Sequence, residues 1–306
     1  MRVVANSVPK SGTHLLDRLL MLLGFELIDL GGVGPQLVGG SRFSSTRKRL
    51  GASLGVRKPE NVMGIGSHMV SGGRLPTIRR FLRSRGPEKV TVGVDFPEQV
   101  DRRWLKRRLG RVSDGQFVTA HCVHTPELAG LLREQGMRTV CILRDPRDVA
   151  VSQMHYIKRL KKHPVHEGFA ALPTDGERLM FSIRGGELGG REMLSLDERY
   201  RRFSGWASEE GAVVVRFEDL VGPRGGGSAG AQRRAVGKVA AHLGVAADEA
   251  TLARVGEGIF GEGQTFRKGM IGGWREEFSA EHERAAEEVA GPLLAELGYA
   301  DAPRAR

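Results

Sequence analysis

The pattern of apolar and polar residues over the first 24 positions predicts a strand, a tight turn and an amphipathic helix. Val3, Val4 and Val8 are β-branched, which is typical of a short buried strand. The segment PKSGT at 9–13 contains a proline and a glycine, so neither a strand nor a helix is expected to continue through it. Leucines then recur at helical spacing as far as Gly24, where we expect the helix to end.

Strands and helices continue to alternate along the rest of the chain. Apolar runs predict strands at 90–94, 117–120, 139–143 and 213–217. Helical spacing predicts helices at 79–85, 101–109, 126–135, from 147 onward, and at 196–207, 235–243 and 280–297. This alternation indicates an α/β fold with a mostly parallel central sheet and helices on both faces. We expect one P-loop-like domain over 1–300 and a tail at 301–306.

Three glycine-rich stretches lack this periodicity. Residues 31–76 and 163–194 are predicted to be irregular loops, which in an enzyme would serve as an acceptor site or a lid. Residues 222–234, which include the sequence PRGGGSAGAQRR, are predicted to form a flexible surface insertion.

Composition and charge narrow the functional classes only slightly. The formal net charge of +11 favours an anionic partner, although an arginine-rich composition would also give a solvated basic surface. Cys122 and Cys141 are the only cysteines, so a disulfide framework is excluded and core thiols are expected. The sequence contains no apolar run of about 18 residues and no secretory signal pattern, and we therefore expect a cytoplasmic protein without a membrane span.

The first turn has the features of an anion site. A strand, a glycine-containing loop and a helix start present backbone N–H groups to a phosphate. Lys10 adds a positive charge there, and Ser11 and Thr13 add hydroxyl groups. The alternative is an ordinary strand–turn–helix unit with a surface lysine. The segment is not a Walker A motif, because Lys10 precedes Gly12 and no G-K-[ST] follows.

Three further stretches follow predicted strands or lie close to the C-terminus. His121 comes after the strand at 117–120, RDPRDVAVS occupies 144–152, and FRKGMIGGW occupies 266–274. Ligands of parallel α/β sheets bind at the carboxyl ends of the strands. Together with PKSGT, this set resembles the sulfotransferases that use 3′-phosphoadenosine-5′-phosphosulfate (PAPS) and release 3′-phosphoadenosine 5′-phosphate (PAP). The resemblance extends over nearly the whole chain.

The resemblance implies which residues contact the nucleotide. It assigns the 5′-phosphosulfate to the loop at 10–13, the 3′-phosphate to Arg144 and Ser152, and a second clamp on that phosphate to 267–269. The residues predicted to contact the nucleotide are Lys10, Ser11, Gly12, Thr13, His14, Arg144, Ser152, Phe217, Arg267, Lys268 and Gly269. Arginine suits the fixed phosphate, because its guanidinium group makes bidentate contacts.

The resemblance also implies two catalytic residues. Lys10 would follow the charge that develops on the leaving phosphate oxygen. His121 falls at the family's catalytic histidine, and an imidazole with a pKa near 6.5 is suited to take the acceptor's proton. His124, three residues on, is the alternative base. No metal is required in this scheme.

The chain departs from the family pattern at several positions. His14 replaces the second hydroxyl of the loop, and the tryptophan that usually follows is absent, which leaves adenine packing in question. Phe217 stands where the family usually has a tyrosine near adenine. Thr119 replaces a lysine two residues before the histidine, and Gly273 replaces an aspartate before Trp274. Trp274 is expected to anchor its loop by packing.

The resemblance implies sulfuryl transfer from PAPS to a hydroxyl, or less readily an amine, of a small-molecule or carbohydrate acceptor. One alternative is a P-loop small-molecule kinase, for which Ser11 and Asp145 would be poor Mg²⁺-holding groups. The other is a non-catalytic nucleotide- or nucleic-acid-binding protein, for which a groove-reading motif is missing, so no nucleic acid partner is expected. The sequence names no acceptor and leaves a homodimer open.

Overall fold

The computed structural model describes residues 1–28, residue 30, 86–260 and 269–300. The predicted loop at 31–76, the predicted helix at 79–85, the tail at 301–306, and Arg267 and Lys268 lie outside the described residues.

Strands and helices alternate through the described residues. The strands are β1 (Arg2–Ser7), β2 (Glu26–Leu27), β3 (Lys89–Val92), β4 (Glu98–Asp101), β5 (Gln116–Ala120), β6 (Met137–Leu143), β7 (Gly186–Leu188), β8 (Arg191–Met193) and β9 (Ala212–Arg216). The helices are α1 (Thr13–Leu22), α2 (Arg102–Leu109), α3 (Pro126–Glu134), α4 (Pro146–Arg159), α5 (His166–Ala171), α6 (Asp175–Arg184), α7 (Leu196–Ser204), α8 (Phe217–Leu220), α9 (Ala229–His242), α10 (Glu249–Ile259), α11 (Trp274–Glu277) and α12 (Ala280–Glu296).

Five strands form one parallel sheet in the order β2-β5-β1-β6-β9. This confirms the predicted α/β fold with a parallel central sheet. The predicted strand at 90–94 exists in shortened form as β3, but it pairs antiparallel with β4 in a separate hairpin. Asp95 and Phe96 therefore lie in the turn of this hairpin. The apolar run at 90–94 could not show whether its strand belongs to a hairpin or to the central sheet.

Side chains that alternate along the strands divide the core into two layers. Val3 and Ala5 of β1 pack in the layer that contains α1, α9 and α10, whereas Val4 packs in the opposite layer with α3, α4 and α12. This period-2 alternation places apolar residues on both faces of the sheet, as expected of a parallel sheet covered by helices. The predicted helices on both faces are therefore confirmed.

Adjacent strands bring the predicted site residues to one edge of the sheet. The PKSGT loop follows β1, His121 follows β5, Arg144 follows β6 and Phe217 follows β9. Because these four strands are neighbours and parallel, the residues that follow them lie at the same carboxyl edge.

The prediction of an irregular stretch at 163–194 is wrong. This stretch forms α5, α6 and the β7–β8 hairpin. The start of α6 has a capping box, in which Thr174 accepts from the Glu177 backbone N–H and Glu177 in turn accepts from Thr174. Gly185 lies between α6 and β7, and Gly189 and Gly190 form the turn between β7 and β8, so these glycines mark turns and not a long loop.

The predicted insertion at 222–234 is partly helical instead of irregular. Helix α9 begins at Ala229, and the Ser228 hydroxyl accepts from the Ala231 N–H at 3.4 Å. A Cβ added to Gly222 would lie 2.5 Å from Gln232 Nε2, so this glycine allows close packing. The following helix, α10, was not predicted from the sequence.

The thiols are consistent with core positions. Cys122 and Cys141 are buried and form no disulfide. Burial raises the pKa of the Cys122 thiol to about 12, so this group stays protonated and unreactive at neutral pH. Within the ranges that the structure describes, we find no helix with the length and apolarity needed to cross a membrane.

Candidate active site

The PKSGT loop has a constrained backbone. Lys10 has φ 75°, and it is the one non-glycine residue with a positive φ in the described part of the chain. Gly12 has φ 112°, and a Cβ added to it would lie 2.8 Å from Phe217 Cδ2 and 3.0 Å from Ile142 Cδ1. Strained backbone of this kind concentrates at ligand-binding turns. The loop therefore has a fixed shape that glycine at position 12 makes possible.

Ser11 supports this loop from inside. Its hydroxyl donates to the Val8 carbonyl at 2.8 Å and lies 3.1 Å from the Ile142 carbonyl, and its backbone N–H donates to Val8 as well. The side chain is fully buried. The sequence predicted a hydroxyl free to donate to an anion, whereas the Ser11 hydroxyl proton is already engaged by main-chain carbonyls.

The first turn of α1 remains available to an anion. Gly12 occupies the N-cap and has no side chain to cap the helix, and the first turn contains no acidic residue. The first N–H groups of a helix have no intrahelical acceptor, and they carry the positive end of the helix dipole. Together with Thr13, whose side chain is partly exposed, they form a donor-rich surface.

Lys10 is held beside this turn by an aromatic ring of α4. Its Nζ lies 4.2 Å from the centroid of the Tyr156 ring. Burial, with smaller contributions from Arg159 and Arg144, lowers the pKa of Lys10 to about 8. The amine is therefore still mainly charged at neutral pH, and a bound anion would stabilise that charge.

The contacts of His121 identify its tautomer. Its Nδ1 lies 2.9 Å from the Ser7 carbonyl oxygen. A carbonyl only accepts, so Nδ1 carries the proton and Nε2 has the free lone pair. Burial lowers the pKa of His121, while the Ser7 carbonyl and Asp95 act in the opposite direction. The ring is thus neutral at neutral pH, with Nε2 able to accept a proton.

His124 is engaged elsewhere. Its Nε2 lies 3.1 Å from a Glu209 carboxylate oxygen, and its ring meets Trp206 edge-on with centroids 5.1 Å apart. These contacts favour His121 over His124 as the base.

Arg144 has one nitrogen that the described residues leave unsatisfied. Its guanidinium lies 4.3 Å from the centroid of the Phe217 ring. Nη2 donates to the Met270 carbonyl at 2.9 Å and lies 3.4 Å from Asp148 Oδ2. Nε is buried and has no hydrogen-bond partner among the residues that the structure describes. A buried unpaired donor on a cation is costly, and an anion would satisfy it.

The loop at 269–274 is tied to the start of α4. Asp148 accepts from the backbone N–H groups of Gly272 and Trp274, both at 2.9 Å. Trp274 is buried, and the Arg147 guanidinium lies 4.0 Å from its ring centroid. This confirms Trp274 as a packing anchor. Met270, the residue after Gly269, accepts from Arg144 through its carbonyl, so the start of the described part of this loop also lies at Arg144.

The other residues singled out in the sequence differ in how far they are exposed. Ser152 is partly exposed and lies one turn after Asp148 on α4, and therefore on the same face of that helix. His14 is exposed in the first turn of α1. Phe217 is buried between Arg144 and Gly12. Thr119 faces the core, where its hydroxyl donates to Asp17 Oδ1 at 2.7 Å.

Sequence reasoning missed residues that organise the site through contacts between distant segments. Tyr156 holds Lys10, Asp148 holds the 269–274 loop, and Ser7 contacts His121. The i,i+4 spacing of Arg144 and Asp148 indicates the ion pair between them, but nothing in it indicates the contact of Asp148 with the 269–274 loop. Nothing in the sequence around Ser7 or Tyr156 indicates which side chain each would meet.

Comparisons with known proteins agree with this geometry. The family model described as the sulfotransferase domain matches residues 2–182. The fold is similar to the crystal structure of mouse sulfotransferase SULT7A1 complexed with PAP, at 15% identity and TM-score 0.55, covering 96% of this chain and 84% of that one. It is also similar to retinol dehydratase in complex with androsterone and inactive cofactor PAP, at 17% identity and TM-score 0.50, covering 96% and 80%.

A search of curated protein sequences found no match. The two structural likenesses establish a shared fold, and the family model covers more than half of the chain, including the PKSGT loop, His121 and Arg144. The chain therefore belongs to the sulfotransferase domain family.

Proposed function

We propose that the protein transfers a sulfuryl group from PAPS to a hydroxyl, or less readily an amine, of a small-molecule or carbohydrate acceptor. The observation that carries this proposal is the convergence of two anion-binding features and one imidazole on neighbouring strand ends. The first turn of α1 follows β1, Arg144 follows β6 and His121 follows β5.

The groups present fit a nucleotide with phosphates at both ends. The start of α1 offers N–H donors beside the Lys10 ammonium. Arg144 offers a buried donor without a partner among the described residues. Two similar folds were solved with PAP, which supports the same nucleotide here. Lys10, Gly12 and Thr13 would hold its 5′ end, and Arg144 with Ser152 its 3′-phosphate.

PAPS supplies an activated sulfuryl group, and its transfer leaves PAP. Lys10 would stabilise the negative charge that develops on the departing phosphate oxygen, because its ammonium group is fixed by Tyr156 beside the loop. His121 would take the acceptor's proton at Nε2. The resulting Nδ1–H and Nε2–H imidazolium would still be held through Nδ1 by the Ser7 carbonyl.

Aromatic rings stand next to the Lys10 side of the site. The Tyr156 ring meets His163 edge-on with centroids 5.9 Å apart, and Phe96 lies 6.2 Å from His163. All three side chains are partly exposed. We propose that the acceptor approaches Lys10 and His121 across these rings.

The proposal can be tested by incubating the protein with ³⁵S-labelled PAPS, a chelator and a panel of phenols, sugars and cell extracts. We expect label transfer in the absence of metal. His121→Asn should lower the rate by about 100-fold or more. His124→Asn, the matched control, should keep the wild-type rate. Phosphate transfer that occurs only with Mg²⁺ and ATP would contradict the proposal and favour a kinase.

A further inference from the structure

Ser7 links the anion-binding loop to His121 through its side chain. The Ser7 hydroxyl lies 2.8 Å from Thr13 Oγ1 and 3.0 Å from His121 Nδ1. The same imidazole nitrogen also lies 2.9 Å from the Ser7 carbonyl. A continuous set of hydrogen bonds therefore runs from the first residue of α1, through the end of β1, to the residue that follows β5.

The neighbouring residue fixes the backbone around this link. Asn6 accepts from the Cys122 N–H at 2.8 Å and donates to the Cys122 carbonyl at 3.2 Å. Ser7 itself is fully buried. With both Ser7 and the peptide after His121 held in place, the imidazole ring has little freedom to leave the Ser7 hydroxyl.

The direction in which each hydroxyl of this set donates depends on whether an anion is bound at the loop. The His121 Nδ1–H group can donate to Ser7 Oγ as well as to the Ser7 carbonyl, because the two oxygens lie at similar distances from Nδ1, 3.0 and 2.9 Å. If an anion accepts the Thr13 hydroxyl proton, Thr13 Oγ1 becomes the acceptor for the Ser7 hydroxyl. All donors then point toward the anion, and hydrogen bonds aligned in this way strengthen one another.

We propose that Ser7 is a positioning residue whose hydroxyl couples occupation of the Thr13 end of the loop by a phosphate group to the readiness of His121 to accept a proton. This inference rests on the proposed function, because it takes a PAP-type nucleotide as the ligand and His121 as the base. Its consequence is that His121 is a stronger base when the nucleotide is in place than when the site is empty.

Other charged groups also act on His121 and must be kept constant. Asp95 raises the pKa of His121, and Lys10 and His14 lower it. Substitution of Ser7 changes none of these groups. The Ser7 carbonyl would also remain, so Ser7→Ala removes the hydroxyl link and leaves the tautomer of His121 in place.

The test is an NMR titration of histidine-labelled full-length protein, with and without saturating PAP. In the wild type, we expect PAP to raise the pKa of His121 by about one unit, a tenfold change in proton affinity. Ser7→Ala should lose at least about half of that shift, and Ser7→Thr, which restores a hydroxyl, should recover it. The signal of His124, which faces Glu209, should not respond to PAP and serves as the internal control.

A second variant removes the hydrogen bond at the Thr13 end of this connection. Thr13→Val should reduce the shift to the same extent as Ser7→Ala, and the double variant should lose no more than either single variant, because both act through one connection. Thr13→Val also keeps the test available if Ser7→Ala does not fold.

The outcomes separate this inference from the function on which it rests. A full PAP-dependent shift in folded Ser7→Ala would overturn the coupling role of Ser7. So would PAP binding to the wild type that leaves the pKa of His121 unchanged, and in that case the nucleotide site would still stand. Failure of the folded wild type to bind PAP would instead refute the proposed function.

Discussion

At the scale of single residues, Arg144 shows how one side chain can be prepared for a ligand. Phe217 lies against the guanidinium face, while the Met270 carbonyl and Asp148 engage Nη2. These contacts fix the orientation of the group but leave Nε unpaired among the described residues. An oriented guanidinium group with a spare donor suits a phosphate better than a flexible ammonium would.

The first residue-scale prediction is that Arg144→Ala weakens binding of PAP selectively. The loss of a charge-assisted contact with the 3′-phosphate should lower PAP affinity by about 10- to 100-fold. Affinity for 5′-AMP, which lacks that phosphate, should change by less than about threefold. Calorimetric titrations with both nucleotides provide the measurement, and equal losses for the two would contradict the assignment of Arg144.

The second residue-scale prediction concerns Asp17, which is buried on α1. Burial raises the pKa of Asp17 from 3.8 to about 7, so between these values the folded protein holds a proton that the unfolded chain has released. The contribution of Asp17 to the free energy of unfolding is therefore greatest below about pH 4 and falls as the pH rises toward 7.

Asp17→Asn should remove this pH dependence, because an amide oxygen still accepts from Thr119 but carries no charge. We expect the variant to be more stable than the wild type by at least about 1 kcal/mol at pH 8, with a smaller difference at pH 4. Urea unfolding across this pH range provides the measurement. Identical pH slopes for variant and wild type would show that Asp17 is not protonated in the folded state.

The chemistry of individual residues was only partly predictable from the sequence. Lys10, His121 and Arg144 were found because they follow apolar runs and match a known pattern. The engaged hydroxyl of Ser11 and the contact of Ser7 with His121 were not found. Ser11 meets the Val8 carbonyl of its own turn and the distant Ile142 carbonyl, and Ser7 meets a ring 114 residues further along the chain.

At the scale of elements, the loop between β1 and α1 depends on Gly12 in two separable ways. Its φ of 112° disfavours any side chain, and the space that a Cβ would need is occupied by Phe217. Gly24 offers the first constraint without the second, because its φ is 95° and, apart from its chain neighbours, no described residue has an atom within 4 Å of an added Cβ.

We therefore predict that Gly12→Ala costs more than Gly24→Ala. The backbone term should reduce the free energy of unfolding by about 1 kcal/mol in both variants, and the contact with Phe217 should add about 1–3 kcal/mol at position 12. Chemical denaturation of both variants gives the comparison. If the two costs were equal, the loop would not be packed as tightly as its contacts with Phe217 and Ile142 indicate.

Helices and strands were predicted well where the apolar periodicity is strong. They were predicted poorly where capping residues determine whether a helix begins. The β1–α1 unit and α12 have long apolar patterns, and both were expected within a residue or two of their observed bounds. The helices α5 and α6 were missed because each contains a glycine, Gly168 and Gly176, and because Thr174, a capping residue, was taken for loop. Such errors arise when the same polar residues favour both turns and helix starts.

At the scale of the whole molecule, the order of the strands creates the site. The neighbouring strands β5, β1, β6 and β9 are each followed by a residue proposed to bind or act on the ligand, although these residues are spread from position 10 to 217. Alternation of strands and helices predicted the fold class. It could not predict which strands are adjacent, because strand order depends on long-range packing.

The central claim is that the loop at 10–13 and Arg144 bind the two ends of one nucleotide. Isothermal titration calorimetry of the wild-type protein tests this claim most directly. PAP and 5′-AMP are titrated separately, at fixed ionic strength and with a metal chelator present. The account predicts saturable PAP binding that is at least about tenfold tighter than binding of 5′-AMP. Folded protein that releases no heat with millimolar PAP, or that binds both nucleotides equally, would contradict it.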